Sequence, residues 1–221
     1  MTGSGGSAPV IAVVDYGAGN LVSIDQALTA VGGRPVVIRD AAALLDAEAL
    51  VVPGVGAAGP AMERLRRGDL VDPIRDWIAA GKPYLGICLG LQLLFEGSDE
   101  DGSETLGALP GRTTLLRAAP TLPHIGWNQV ERQRGHELFD GIEDNADFYF
   151  VHSYAGVLDA AASGAVLAET EHGRRFTSAV ARDNVLGVQF HPERSGRDGL
   201  TLLGNFVRLV ARRAQRAATV A

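Results

Sequence analysis

The first half of the chain alternates short apolar runs with stretches of helical spacing. Val10–Asp15 is apolar, mostly β-branched and ends in a turn cluster, the pattern of a strand buried on both faces. Asn20–Val31 sets Leu21, Ile24, Leu28 and Val31 at helical intervals, with Asn20 as N-cap and Gly32 as stop. Pro35–Ile38 predicts a second strand and Ala41–Asp46 a short helix. Ala49–Val52 predicts a third strand, which ends abruptly in Pro53-Gly54-Val55-Gly56. Ala61–Arg67 and Pro73–Ala80 predict helices, the second closed by Gly81. Tyr84–Ile87 predicts a fourth strand, and a helix starting near Leu89 carries Gln92, Leu93 and Phe95. Such alternation implies a mostly parallel sheet covered on both faces.

After Gly97 the pattern changes. Ser98–Gly107 is acidic and polar, a surface loop. Strand-like runs follow at Thr113–Leu116, Trp127–Glu131, Phe148–Tyr154, Val166–Thr170, Thr177–Ala181 and Val185–Phe190, and Gly199–Arg213 is a closing amphipathic helix. The expectation is a three-layer α/β/α domain over residues 10–213, its second half adding antiparallel strands to the sheet. The Gly/Ser-rich residues 1–9 read as a flexible N-terminal tail rather than a signal peptide, and residues 214–221 as a C-terminal tail.

Composition narrows the function. A chain of 221 residues suffices for one sizeable α/β domain. A net charge of −6 repels phosphate backbones, so no nucleic-acid partner is expected. No run of eighteen apolar residues is present, so no membrane helix is expected. A single cysteine forbids an internal disulfide and fits a reducing, cytoplasmic setting. His124, His136, His152 and His172 lack metal-ligand spacing, so no metal is expected. The loop Asp15-Tyr16-Gly17-Ala18-Gly19-Asn20 has G-x-G after the first strand but no third glycine at the proper offset and no G-K-[ST]. No nucleotide cofactor is expected there, and the loop reads as a rim near a site or a partner.

Chemistry concentrates at three places. Cys88 lies in Gly86-Ile87-Cys88-Leu89-Gly90 between a predicted strand and a predicted helix, a G-x-nucleophile-x-G turn. Its sulfur would point at a helix start, which favours thiolate, and the Leu89 N–H would be left for an oxyanion. The alternative is a buried small hydrophobe, the common fate of a lone cysteine. His191-Pro192-Glu193 follows the last strand. Proline keeps His191 extended, so Glu193 can bond one ring nitrogen and leave the other for Cys88. The alternative is a surface histidine and a solvated carboxylate. Both candidates follow strands, where sites of open α/β sheets gather. In the Pro53–Gly56 loop, two glycines let the Val55 peptide turn its N–H toward an oxyanion.

Together, GICLGLQ at residues 86–92, PGVG at 53–56 and FHPE at 190–193 resemble the class I (triad) glutamine amidotransferases over nearly all of residues 10–210. The resemblance implies a flavodoxin-like domain with a Cys88–His191–Glu193 triad and oxyanion donors at Val55 and Leu89. Glutamine would be held by Gly54, Gly56, Gln92, Ser153 and Tyr154. DYGAGN at 15–20, PHIGWN at 123–128 and YFVHSY at 149–154 narrow the likeness to the glutaminase subunits of imidazole glycerol phosphate synthase. That likeness implies a heterodimer with a (β/α)₈-barrel cyclase, which receives ammonia for histidine biosynthesis. Asn20, Trp127 and Tyr149 would lie at or near the interface; for the two aromatics the alternative is core packing. Arg194 departs from the lysine usual in the family and is a further interface candidate. The rival readings are the glutaminase of another synthase such as anthranilate synthase, a non-catalytic docking subunit, and a dinucleotide-binding oxidoreductase.

Overall fold

The computed structural model describes residues 8–220, so the expected tail over residues 1–9 lies, apart from Ala8 and Pro9, outside the described residues. The first half runs β1 (Val10–Val14), α1 (Leu21–Ala30), β2 (Arg34–Ile38), β3 (Ala49–Gly54), α2 (Ala58–Arg67), α3 (Val71–Ala79), β4 (Tyr84–Cys88) and α4 (Leu89–Gln92). The second half runs β5 (Gly97–Ser98), β6 (Gly111–Leu115), β7 (His124–Arg132), β8 (Ala146–His152) and β9 (Tyr154–Leu158). It ends with β10 (Val166–Glu171), β11 (Arg175–Arg182), β12 (Val185–Val188) and α5 (Gly196–Val220). A nine-stranded sheet has the order β2-β1-β3-β4-β12-β11-β10-β7-β8. Its first five strands are parallel and the remaining four are antiparallel.

The unbroken apolar runs of the central strands follow from burial on both faces. Ile11, Val13, Val51 and Ile87 point into one core with Ile24 and Leu28 of α1 and Leu203 and Phe206 of α5. Ala12, Val14, Leu50 and Val52 point into the other, with Met62 and Leu65 of α2, Ile74 and Trp77 of α3, and Leu89 and Leu91 of α4. This is the expected three-layer arrangement.

Four local expectations need correction. The Phe148–Tyr154 run is two strands, not one. It breaks at Ser153, so that β8 closes the large sheet and β9 joins a separate three-stranded sheet of order β5-β6-β9. The helix after Cys88 lasts one turn. Leu94 and Phe95 bond carbonyls three residues back, and Glu96 N–H then bonds Gly111 O as the chain enters the small sheet. The acidic 98–107 loop is tied down rather than free, because Asp101 accepts bonds from the Gly59 and Ser103 N–H groups, and Leu106 is buried. Finally, α5 does not stop at Arg213. Residues 214–220, expected as a tail, continue it; Ala214, Gln215 and Arg216 are good helix formers, and Arg213 donates to Gly81 O.

Candidate active site

Cys88 sits where β4 turns directly into α4, with backbone angles φ +52° and ψ −106°. The flanking glycines are required by space. A Cβ on Gly90 would lie 1.7 Å from Val52 O, and one on Gly86 would lie 2.4 Å from Gly90 O. The turn is therefore pressed against β3, and only hydrogen fits. Leu89 opens α4, so its N–H is one of the amides that a helix start leaves without an internal partner. A four-residue helix carries little macrodipole, so the helix-end field expected at the sulfur is weak, and local groups must supply that support.

β12 lies beside β4 with Val188 opposite Ile87. The chain that follows β12 thus emerges next to Cys88. His191 is extended, at φ −105° and ψ 91°, as the following proline demands. Pro192–Arg194 then forms a 3-10 turn, closed by Arg194 N–H on His191 O at 2.6 Å. This turn, rather than continued extended chain, swings Glu193 back to His191, and Nδ1 and Oε1 meet at 2.8 Å. Both side chains are buried, at 6% and 3% exposure.

The far nitrogen, His191 Nε2, is buried with no formed hydrogen bond. It is nonetheless close enough to Cys88 for charge on the two groups to couple. Burial alone would lower the His191 pKa; negative charge at Cys88 and the close approach of its sulfur, and after them the bond to Glu193, outweigh that and raise it to about 10. The ring is held as a cation facing the sulfur, with a carboxylate behind it.

A cavity of about 200 Å³ opens in front of Cys88. Gly56, Gln92, Ser153 and Tyr154, all expected to hold substrate, line it. Gly54 does not. It pairs with Cys88 across β3 and β4 and packs under Tyr16, whose hydroxyl would meet a Cβ there at 1.9 Å. Val55 is 46% exposed just ahead of Gly56. Sequence reasoning missed Glu100, Val151 and His152, which also line the cavity. Glu100 stands in an acidic run with nothing local to single it out. His152 could have been suspected from its placement in an otherwise apolar strand.

His152 belongs to a second cluster. Its Nε2 meets His124 Nδ1 at 3.0 Å, and its Nδ1 meets Tyr154 O at 2.8 Å. His124 stacks on His172 with centroids 3.9 Å apart. Burial, then the charge of His172, lowers the His124 pKa to about 4. Burial lowers that of His152 to about 3, against the bond to Tyr154 O. Both rings are neutral, and among the described residues no group of three or more His, Cys, Asp or Glu is placed to hold a metal.

The interface candidates share a face in part. Trp127 is 57% exposed, so the core-packing alternative fails for it. Its ring meets that of the half-buried Tyr149 edge to face at 6.1 Å, and the Arg194 guanidinium lies 4.8 Å over the Tyr149 ring. Asn20 caps α1, accepting from Ser23 N–H at 3.2 Å.

The family model described as "Glutamine amidotransferase class-I" matches residues 12–209. The imidazole glycerol phosphate synthase subunit HisH of Synechococcus elongatus is 48% identical, covering 93% of this chain and 95% of the relative. The HisH of Thermococcus kodakarensis is 50% identical, covering 90% of this chain and all of the relative. The solved structure of PurLQS from Thermotoga maritima overlays with a TM-score of 0.71 at 19% identity, covering 91% of this chain and 99% of that one, a likeness of fold. The match over nearly the whole chain, with Cys88 and His191 following adjacent strands, leads to one conclusion: this chain belongs to the class-I glutamine amidotransferases and, within them, to the family of imidazole glycerol phosphate synthase HisH subunits.

Proposed function

We propose that the chain is the glutaminase subunit of an imidazole glycerol phosphate synthase acting in cytoplasmic histidine biosynthesis. It hydrolyses L-glutamine to glutamate and ammonia and passes the ammonia to a (β/α)₈-barrel cyclase, which forms imidazole glycerol phosphate and aminoimidazole carboxamide ribotide. The observation that carries this reading is the buried His191, paired with Glu193 and charge-coupled to Cys88 at the mouth of a cavity.

With the proton shared by the pair already on His191, the Cys88 thiolate attacks the side-chain amide carbon of glutamine. The N–H groups of Leu89 and Val55 hold the resulting oxyanion. His191 then gives its proton to the departing nitrogen, which leaves as ammonia when the C–N bond breaks. Water, deprotonated by His191, attacks the thioester carbon and releases glutamate and the thiol. Gly56, Gln92, Ser153 and Tyr154 enclose the substrate; Glu100 supplies a carboxylate for its ammonium group. Gly54 acts from behind the wall by setting the loop that carries Val55. Rotation of the Val55 peptide is the gate that keeps the subunit idle without its partner. The cyclase docks on the face around Trp127, Tyr149 and Arg194, with exposed Ile125 two residues before Trp127 on the same strand; Asn20, the cap of α1, is a further contact.

Cys88→Ala tests the reading. The variant, mixed with the cyclase, should make no product from glutamine yet respond normally to ammonium salts. A glutamine-like alkylating analogue should add mass to wild type at Cys88 alone. Full glutamine turnover by Cys88→Ala would refute the assignment.

A further inference from the structure

Gln189 is fully buried two residues before His191, and its amide nitrogen lies 3.4 Å from Cys88 Sγ. Which end of an amide faces a neighbour follows from its other bonds. Here they leave one choice. The Tyr154 carbonyl can only accept, and Gln92 Nε2 lies 2.8 Å from it, so that end of Gln92 is its NH₂ group. The second hydrogen of Gln92 goes to Gln189 Oε1 at 3.1 Å. The oxygen of Gln189 is thereby engaged, and an N–H faces the sulfur.

The anchoring runs deeper. Asn128 accepts the Gln129 N–H on its oxygen, so its nitrogen donates to Glu171 O at 2.9 Å and to His124 Nε2 at 3.1 Å. With Nε2 accepting, the proton of neutral His124 is on Nδ1, which donates to His152 Nε2. His152 then carries its proton on Nδ1 and donates to the same Tyr154 carbonyl that receives Gln92. Both acceptor positions of that carbonyl are filled, and every donor in the row points one way.

We propose that Gln189 is a positioning residue of the glutaminase reaction: its amide N–H, locked by Gln92 and the Tyr154 carbonyl, holds the sulfur of Cys88 from the buried side and favours thiolate before glutamine arrives. This rests on the glutaminase reading above. Gln189 does not line the cavity, so it acts on the nucleophile and not on substrate binding. It supplies support that the one-turn helix α4 cannot. The titratable groups around the sulfur are His191 after β12, Tyr16 after β1, and Glu100, His152 and Tyr154 across the cavity. All remain in place when Gln189 is changed.

Gln189→Met keeps the length and removes the donor. In the free subunit, the pH profile of Cys88 alkylation by iodoacetamide should move up by about one unit. With the cyclase present, kcat for glutamine should fall about tenfold while KM barely moves. An unmoved alkylation profile, or a loss confined to KM, would overturn the role of Gln189. Should the variant fail to fold, side-chain amide NMR of wild type decides. The Gln189 amide protons should shift with the same midpoint as Cys88 alkylation, and a resonance indifferent to that titration overturns the proposal. Wild type that alkylates at Cys88 but never hydrolyses glutamine with the cyclase would instead overturn the glutaminase reading, and this role with it.

Discussion

At the scale of single residues, the site depends on atoms that are missing. Gly90 has no room for a methyl group because Val52 O occupies its place, and Gly86 is closed off by Gly90 O. Gly90→Ala must push apart β3 and the turn that carries Cys88, so urea unfolding should show a loss of about 3 kcal/mol or more, together with lost turnover. Stability near wild type would mean that the turn is not pressed as tightly as described. Glu100 is the converse case, a group that is present but illegible among its acidic neighbours. If it binds the substrate ammonium, Glu100→Gln should raise KM for glutamine about tenfold with kcat nearly kept. A fall in kcat at unchanged KM would move Glu100 out of that role.

At the scale of elements, β7 and β8 are joined by a buried pair of neutral histidines, His124 opposite His152. Their pKa values in the fold, about 4 and about 3, lie below that of an unfolded histidine near 6.5. The unfolded chain therefore binds protons that the folded one refuses. The stability of the pair is complete above about pH 6.5 and drains away as pH falls toward these lower values. The midpoint of urea unfolding should drop between pH 6.5 and 4, and His152→Phe should show a flatter dependence over that window. Equal slopes for the two proteins would remove the pair as the cause. His191 has the opposite sign. Its pKa is raised to about 10, so its contribution is complete below about pH 6.5 and is lost as pH rises through 10.

At the scale of the molecule, one surface reaches His191 through few bonds. His191 N–H bonds Tyr149 O at 2.9 Å, Tyr149 N–H bonds Ser195 Oγ at 3.0 Å, and Ser195 Oγ donates to His191 O at 2.7 Å. Tyr149 also carries Arg194 on its ring and Trp127 at its edge. A cyclase seated there, as proposed, would press on the residue that holds His191. Trp127 is the largest exposed apolar side chain of that face. Trp127→Ala should therefore weaken cyclase binding by about thirtyfold, about 2 kcal/mol, while leaving the thermal midpoint of the free subunit unchanged. Unaltered affinity in a binding titration would place the docking surface elsewhere.

How much of this the chain declares by itself depends on the range of the cause. The alternation of apolar runs and helical spacing determined the layers, because the central strands of the parallel half are buried on both faces and the longer helices on one. The glycines around Cys88 and the proline after His191 determined local backbone shape, since both act through sterics within a few residues. Tertiary structure decided the rest. The break at Ser153 exists because β8 and β9 find partners in two different sheets. The last helix is tied to Glu137 and Gly81, distant in the chain, through Arg212 and Arg213, and continues beyond them to Val220. The contact of Gln189 with the sulfur requires the packing of β4 against β12, just over a hundred residues apart. Periodicity reports which side of an element is buried. It carries no information about which buried polar group meets which, because that is fixed by register between strands that come together only in the folded chain.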